Sequence, residues 1–125
     1  MVKLPKVVMD AWEDRNGPAV FSTADEHMVP NAVWVTCVSI FDEETVIVAD
    51  NYFNKTKKNL DAGSKGSLLF ITGEKKSYQI KGRLEYYREG RYYDDMKSWN
   101  PEKHPGHAAA VLKVEEVHSG SEKLA

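Results

Sequence analysis

Two apolar runs rich in β-formers, "PNAVWVTCVSIF" and "TVIVAD", are separated by only Asp42, Glu43 and Glu44. Three residues cannot carry a parallel crossover, which needs a dozen or more, so these runs must return on one another antiparallel. The rest of the chain repeats the pattern. "PAVFSTA", "GSLLFIT", "SYQIKGRLEYY" and "AAAVLKVEEV" are further strand candidates, most of them bounded by short turns. About six strands in hairpin succession argue against a doubly wound sheet. They predict a mainly β chain, a small antiparallel barrel whose closure removes the edges that short strands would expose.

Three helices interrupt this pattern. Leu4, Val7, Val8, Ala11 and Trp12 mark one face of an N-terminal helix that Asn16-Gly17 would end. A short helix is expected from about Asn54 to Ala62, with Asn54 as N-cap and Gly63 just past its end. Tyr92, Tyr93, Met96 and Trp99 recur at helical spacing until Asn100-Pro101. "MVPNAVWVTCVSIF" reads as one long strand with Pro30 at an edge or bend, and residues 118–125 read as a polar tail that frays.

With 125 residues the chain fits a single domain, residues 1–125. Its four Phe, three Trp and six Tyr help to build a core that needs no metal or disulfide staple. Seventeen basic against nineteen acidic side chains leave a net charge of −2, which provides no overall basic field for nucleic acid. Cys37 is the only cysteine, and in its apolar run it reads as a small buried hydrophobe. A lone cysteine and no signal-like opening predict a reducing, cytoplasmic setting; no apolar stretch approaches the length of a membrane span.

The stretch "DNYFNKTKKNL" breaks the β pattern and opens the second helix. A helix start offers unpaired N–H groups to an anion, and Lys55 and Thr56 would add an ammonium and a hydroxyl, with Lys57 or Lys58 strengthening the field. The same residues also suit a solvated lysine-rich face. Trp34 and Thr36 alternate with Val33 and Val35; Trp34 suits either the core or a wall for a flat ring. Gln79 suits either solvent or a hydrogen bond to a heterocycle. His104 and His107 in "HPGH" lack the partners a four-ligand metal site needs and read as loop.

In order along the chain, "PNAVWVTCVSIFDEETVIVADNYFNKTKKNL" and "YQIKGRLE" resemble the flavin-binding split-barrel family related to pyridoxamine 5′-phosphate oxidase. The likeness is most specific around Lys55–Thr56; in the later strand, Gln79 stands three residues before Gly82 as in the family. The resemblance implies a homodimer with FMN at the subunit interface. Lys55 and Thr56 would contact the phosphate; Trp34, Val35 and Thr36 would line the isoalloxazine. Ala49, Asp50 and Asn51 would lie near the ring and ribityl chain, and Gln79 would approach the flavin, with the opposite subunit as one source. Trp99, placed by its helix and not by a motif, would be an aromatic over the ring.

Arginine occurs only at positions 15, 83, 88 and 91, and the tail has none, which argues against pyridoxamine phosphate oxidation itself. The length is similar to that of the short flavin-binding members, which transfer electrons or reduce small substrates. A nicotinamide or another small molecule would be the electron partner. The alternative within the same fold is a non-catalytic protein that holds flavin or haem. Flavin carries its own redox chemistry, so a chain without a recognisable catalytic motif fits the class.

Overall fold

The structure is a computed structural model that describes residues 2–125. In chain order the elements are α1 (Lys6–Glu13), β1 (Ala19–Ala24), β2 (Pro30–Val35), β3 (Val38–Asp42), β4 (Thr45–Asp50), α2 (Lys55–Asp61), β5 (Lys65–Ile71), β6 (Ser77–Tyr87), α3 (Arg91–Trp99), β7 (Ala108–Ser119) and β8 (Glu122–Lys123). The strands form one antiparallel sheet in the order β2-β1-β5-β6-β7-β4-β3, with β8 paired to β7.

The curl of this sheet follows from its connectivity. β2 and β3 are its two edges, yet only Thr36 and Cys37 separate them in the chain. Seven flat strands would hold their edges about 29 Å apart at ~4.8 Å per strand. Three residue steps from Val35 to Val38 reach at most about 11 Å. The sheet must therefore roll until its edges meet, giving the split barrel that the hairpin succession predicts. The run read as one long strand breaks at this corner.

Register explains which side chains fill the barrel. Phe21 pairs with both Val33 and Leu68, Leu68 with Ile80, and Ile80 with Val117. Directly paired residues share a face, so this row points inward together, and all but the half-buried Val33 are fully enclosed. α1 closes one end with Leu4, Val8, Ala11 and Trp12, the last packed edge-to-face on Phe70 at 5.0 Å. Val7, expected on that face, points to solvent.

β4 is buried along its whole length because it has core on both sides. Val46 and Val48 face the barrel, while Ile47 and Ala49 lie under Tyr92 and Met96 of α3. Lys113, buried on β7, donates to the Tyr92 hydroxyl and to Thr45 Oγ1 at 3.4 Å. The Lys113 bond to Tyr92 most of all, with one from Arg91 at 2.8 Å, holds the Tyr92 phenol below its ordinary range.

The sheet has eight strands where the sequence pattern gives about six. One extra strand comes from the Thr36–Cys37 corner, the other from the end of the chain. Residues 118–125 do not fray: Gly120, at φ +57°, turns the chain so that β8 pairs with β7. Leu124 N–H then donates to Val117 O at 2.8 Å, and Leu124 and Ala125 pack on the core.

Candidate functional site

The site is built where β4 ends. Asp50 is buried, and its carboxylate is fully engaged: Oδ1 accepts Phe53 N–H at 3.0 Å and Oδ2 accepts the Tyr86 hydroxyl at 2.5 Å. Burial, reinforced by Asp50, pushes the Tyr86 phenol above its ordinary range, against a smaller opposing pull from Arg88. Asp50 thus fixes the turn after β4 from behind. Next to it, Asn51 and Asn100 exchange amide hydrogen bonds of 3.0 and 2.9 Å, and Asn51 Oδ1 also accepts Gly106 N–H at 2.9 Å. This pins the loop between α3 and β7 against the end of β4.

These anchors shape a cleft of about 190 Å³ at the corner of the sheet. One wall is the stretch Val33–Cys37 and the other is Ala49 with Asn51, Tyr52 and Phe53; His104 closes it from the pinned loop. Trp34, Val35, Thr36, Ala49 and Asn51, all named from the sequence, therefore lie together. Trp34 is not core: it is 73% exposed, because alternation gives the inward positions of β2 to Val33 and Val35. As an edge strand β2 also carries main-chain groups that no neighbouring strand pairs.

Farther along the same edge, from Val29 to Asn31, a second hollow of about 480 Å³ lies against α2. Lys55 and Lys58 line it, and neither forms an ion pair among the described residues, whereas Lys57 is tied to Asp61 at 2.6 Å. Asp25 and Glu26 line it as well, and Asp25 Oδ1 is occupied by the His27 and Val29 N–H groups. Thr56 is 2% exposed. Its hydroxyl accepts from Asn31 Nδ2 at 3.0 Å, within a buried network in which Asn59 donates to Thr23 at 2.9 Å. Thr56 thus joins α2 to the β1–β2 hairpin, and its hydroxyl is turned away from solvent. Asn54 precedes α2 as expected but makes no side-chain cap bond.

Gln79 lies away from the cleft. It pairs with Leu69, Leu69 with Val20, and Val20 with Trp34, so the four form one row on the outer face of the sheet. Three strand spacings put Gln79 about 14 Å from Trp34. Trp99 does not reach the cleft lining; its indole N–H donates to Asp95 at 3.0 Å and its ring packs on the cluster under α3.

Sequence reasoning missed Tyr52, Phe53, Cys37 and His104 as cleft residues. Cys37 is half-buried at the corner, and His104 enters only because the Asn51–Asn100 pair folds its loop back. Adjacency to the "NKTKKN" segment was the one available signal for Tyr52 and Phe53. Among the described residues, no three His, Cys, Asp or Glu side chains gather as a metal site, and no helix is long and apolar enough to cross a membrane.

The family model of pyridoxamine 5′-phosphate oxidase matches residues 6–120. An uncharacterized protein of Methanocaldococcus jannaschii is 32% identical over 125 residues, spanning 95% of this chain and 82% of its own. HupZ of Group A Streptococcus superposes with a TM-score of 0.82 at 22% identity, covering 98% of this chain and 97% of that one. An FMN-binding protein of Syntrophomonas wolfei gives 0.75 at 21% identity, with 96% and 85% covered. At those identities the structural likeness is one of fold, the same curled split barrel; the match over residues 6–120 reaches from α1 through β7. The chain belongs to the pyridoxamine 5′-phosphate oxidase family of flavin-binding split barrels.

Proposed function

We propose that this chain binds FMN along the free edge of β2, as a homodimer, and passes electrons between a small reductant and a small acceptor. The observation that carries the reading is the pairing of two hollows on one strand edge. The first offers a flat, partly apolar wall from Val33 to Cys37; the second offers the unpaired ammonium groups of Lys55 and Lys58. Five residue steps from Val35 to Pro30 span about 17 Å, enough for a ring at one end and a phosphate at the other. The donor set fits a molecule that is aromatic at one end and anionic at the other.

The remaining assignments follow from that placement. Val35, Thr36, Ala49 and Asn51 would border the ring, and Lys55 with Lys58 would hold the phosphate. Thr56 would act indirectly, by holding Asn31 to α2. Bound FMN would supply the redox chemistry; the chain would supply binding, orientation and exclusion of water.

A second copy completes the proposal. A cleft of about 190 Å³ falls below the ~300–1,000 Å³ of ordinary ligand pockets, as one wall of a shared site would. The outer row that holds Trp34, Val20 and Leu69 is an apolar face suited to a copy of itself, and Gln79 on that row could then reach the partner's flavin.

The test is to add FMN, remove the excess by gel filtration and record the visible spectrum across the eluted peak. Flavin bands travelling with a dimer-sized peak are expected. A colourless protein would overturn the FMN assignment. Retention of haem but not flavin would turn the reading to the alternative of a haem-holding protein.

A further inference from the structure

One feature of the cleft is unused by the binding role. His104 and Tyr52 come from different loops and meet there, with His104 Nδ1 3.0 Å from the Tyr52 hydroxyl and the rings edge-to-face at 5.5 Å. We propose that His104, oriented by Tyr52, is the proton donor for a hydride-accepting substrate, a quinone or conjugated carbonyl, reduced in this cleft. The inference rests on the FMN reading of the same cleft.

The first argument is placement. The loop that carries His104 is held at its base by the Asn51–Asn100 exchange, by Gly106 N–H on Asn51, and by His107 N–H on Asp50 O at 2.8 Å. Lys97 Nζ adds a bond to Pro105 O at 3.1 Å. Burying polar groups is costly unless each finds its partner, and here they do. The loop is thereby set in one position, with a half-buried imidazole at the cleft.

The second argument is elimination. Asp50 faces the Phe53 N–H and Tyr86, and Asn51 is spent on the loop. Of the side chains that line the cleft, His104 is the one whose class exchanges protons near neutrality. The proposal takes Nδ1–H as the donor to the Tyr52 oxygen across this 3.0 Å contact, which leaves Nε2 as the exchanging nitrogen. In this role Tyr52 is a positioning residue that would hold the Nδ1–H tautomer, and its exposure leaves it open to water.

The chemistry balances as follows. Bound flavin, when reduced, would supply the hydride, by which a quinone gains two electrons and one proton. The oxyanion left on the quinone takes a second proton from the Nε2–H of the imidazolium, giving the hydroquinone. A solvent proton then restores the imidazolium, and a reduced nicotinamide would be the source of the hydride's two electrons and proton.

The test uses the FMN-loaded, chemically reduced protein and two oxidants. A naphthoquinone takes up electrons and protons; ferricyanide takes electrons alone. His104→Gln should slow reoxidation by the quinone at least tenfold, within the span of general acid catalysis, and leave ferricyanide within twofold. Added imidazole should restore quinone reduction in His104→Ala. In the flavin-free protein, imidazole ¹⁵N spectra should show the Nδ1–H tautomer in the parent and a shift towards Nε2–H in Tyr52→Phe. Equal effects on both oxidants, or none on either, would overturn the proton-donor role alone. A parent protein that retains no FMN would overturn the cofactor reading and this inference with it.

Discussion

Asn51 and Asn100, 49 positions apart, each donate an amide N–H to the other's carbonyl oxygen across the base of the α3–β7 loop. Asn51 Oδ1 serves Gly106 as well, so Asn51→Ala strands two buried donors and an acceptor. Each unsatisfied group costs about 1–3 kcal/mol. We expect a loss of about 3 kcal/mol in urea denaturation, with the largest rise in amide exchange at Gly106 and His107. A loss below about 1 kcal/mol would show that water replaces the pair.

Tyr86 predicts an alkaline weakness. Its phenol is raised in the fold, so its contribution is complete below the ordinary phenol range and is lost as pH rises through the raised value. Stability should therefore fall above about pH 10, because the unfolded chain ionises first. Tyr86→Phe removes the hydroxyl from Asp50, should cost about 1.5–3 kcal/mol at neutral pH, and should flatten the alkaline decline. Denaturation midpoints measured across pH for both proteins check the sign.

The phosphate assignment stands on two lysines. Lys55→Ala with Lys58→Ala should weaken FMN at least tenfold, since charge-assisted bonds are worth about 1.5–3 kcal/mol and a factor of ten is ~1.4 kcal/mol. Riboflavin, which has no phosphate, should bind the double variant and the parent alike. Fluorescence titration with both ligands decides it; equal losses for the two would relocate the phosphate.

Dimerisation is tested on the outer row. Leu69→Glu places a charge beside Val20 and Gln79 on an already exposed position, so the fold should hold while the proposed dimer does not form. Sedimentation velocity should report a monomer with unchanged circular dichroism. A variant that remains dimeric would place the interface elsewhere.

The β1–β2, β3–β4 and β5–β6 hairpins were legible because their short connections leave antiparallel pairing as the sole option. α2 and its following Gly63, at φ +82°, were legible from composition and punctuation. The break at Thr36–Cys37 was hidden, since both residues continue a β-rich run and only the roll of the whole sheet forces a corner there. Trp34 was ambiguous because alternation gives two faces without saying which is wet. Thr56 looked like a surface donor beside three lysines; a buried position at the first turn depends on the hairpin packed behind it. His104 and Tyr52 were out of reach because their meeting depends on an amide pair between residues almost fifty positions apart.

β7 joins the molecule in an order that has its own consequence. It pairs with β6 on one side and β4 on the other, and no other strand links those two. Before β7 emerges from the ribosome, no strand pairing joins β2-β1-β5-β6 to the β3–β4 hairpin; the Thr36–Cys37 corner, where Cys37 O accepts Ala49 N–H at 3.0 Å, connects them. The two walls of the cleft belong to these pieces, and His104 lies just ahead of β7. The cleft proposed to hold FMN therefore stays unfinished until the His104 loop is anchored. A ribosome stalled before residue 108 would carry a chain whose cleft lacks the side that His104 closes.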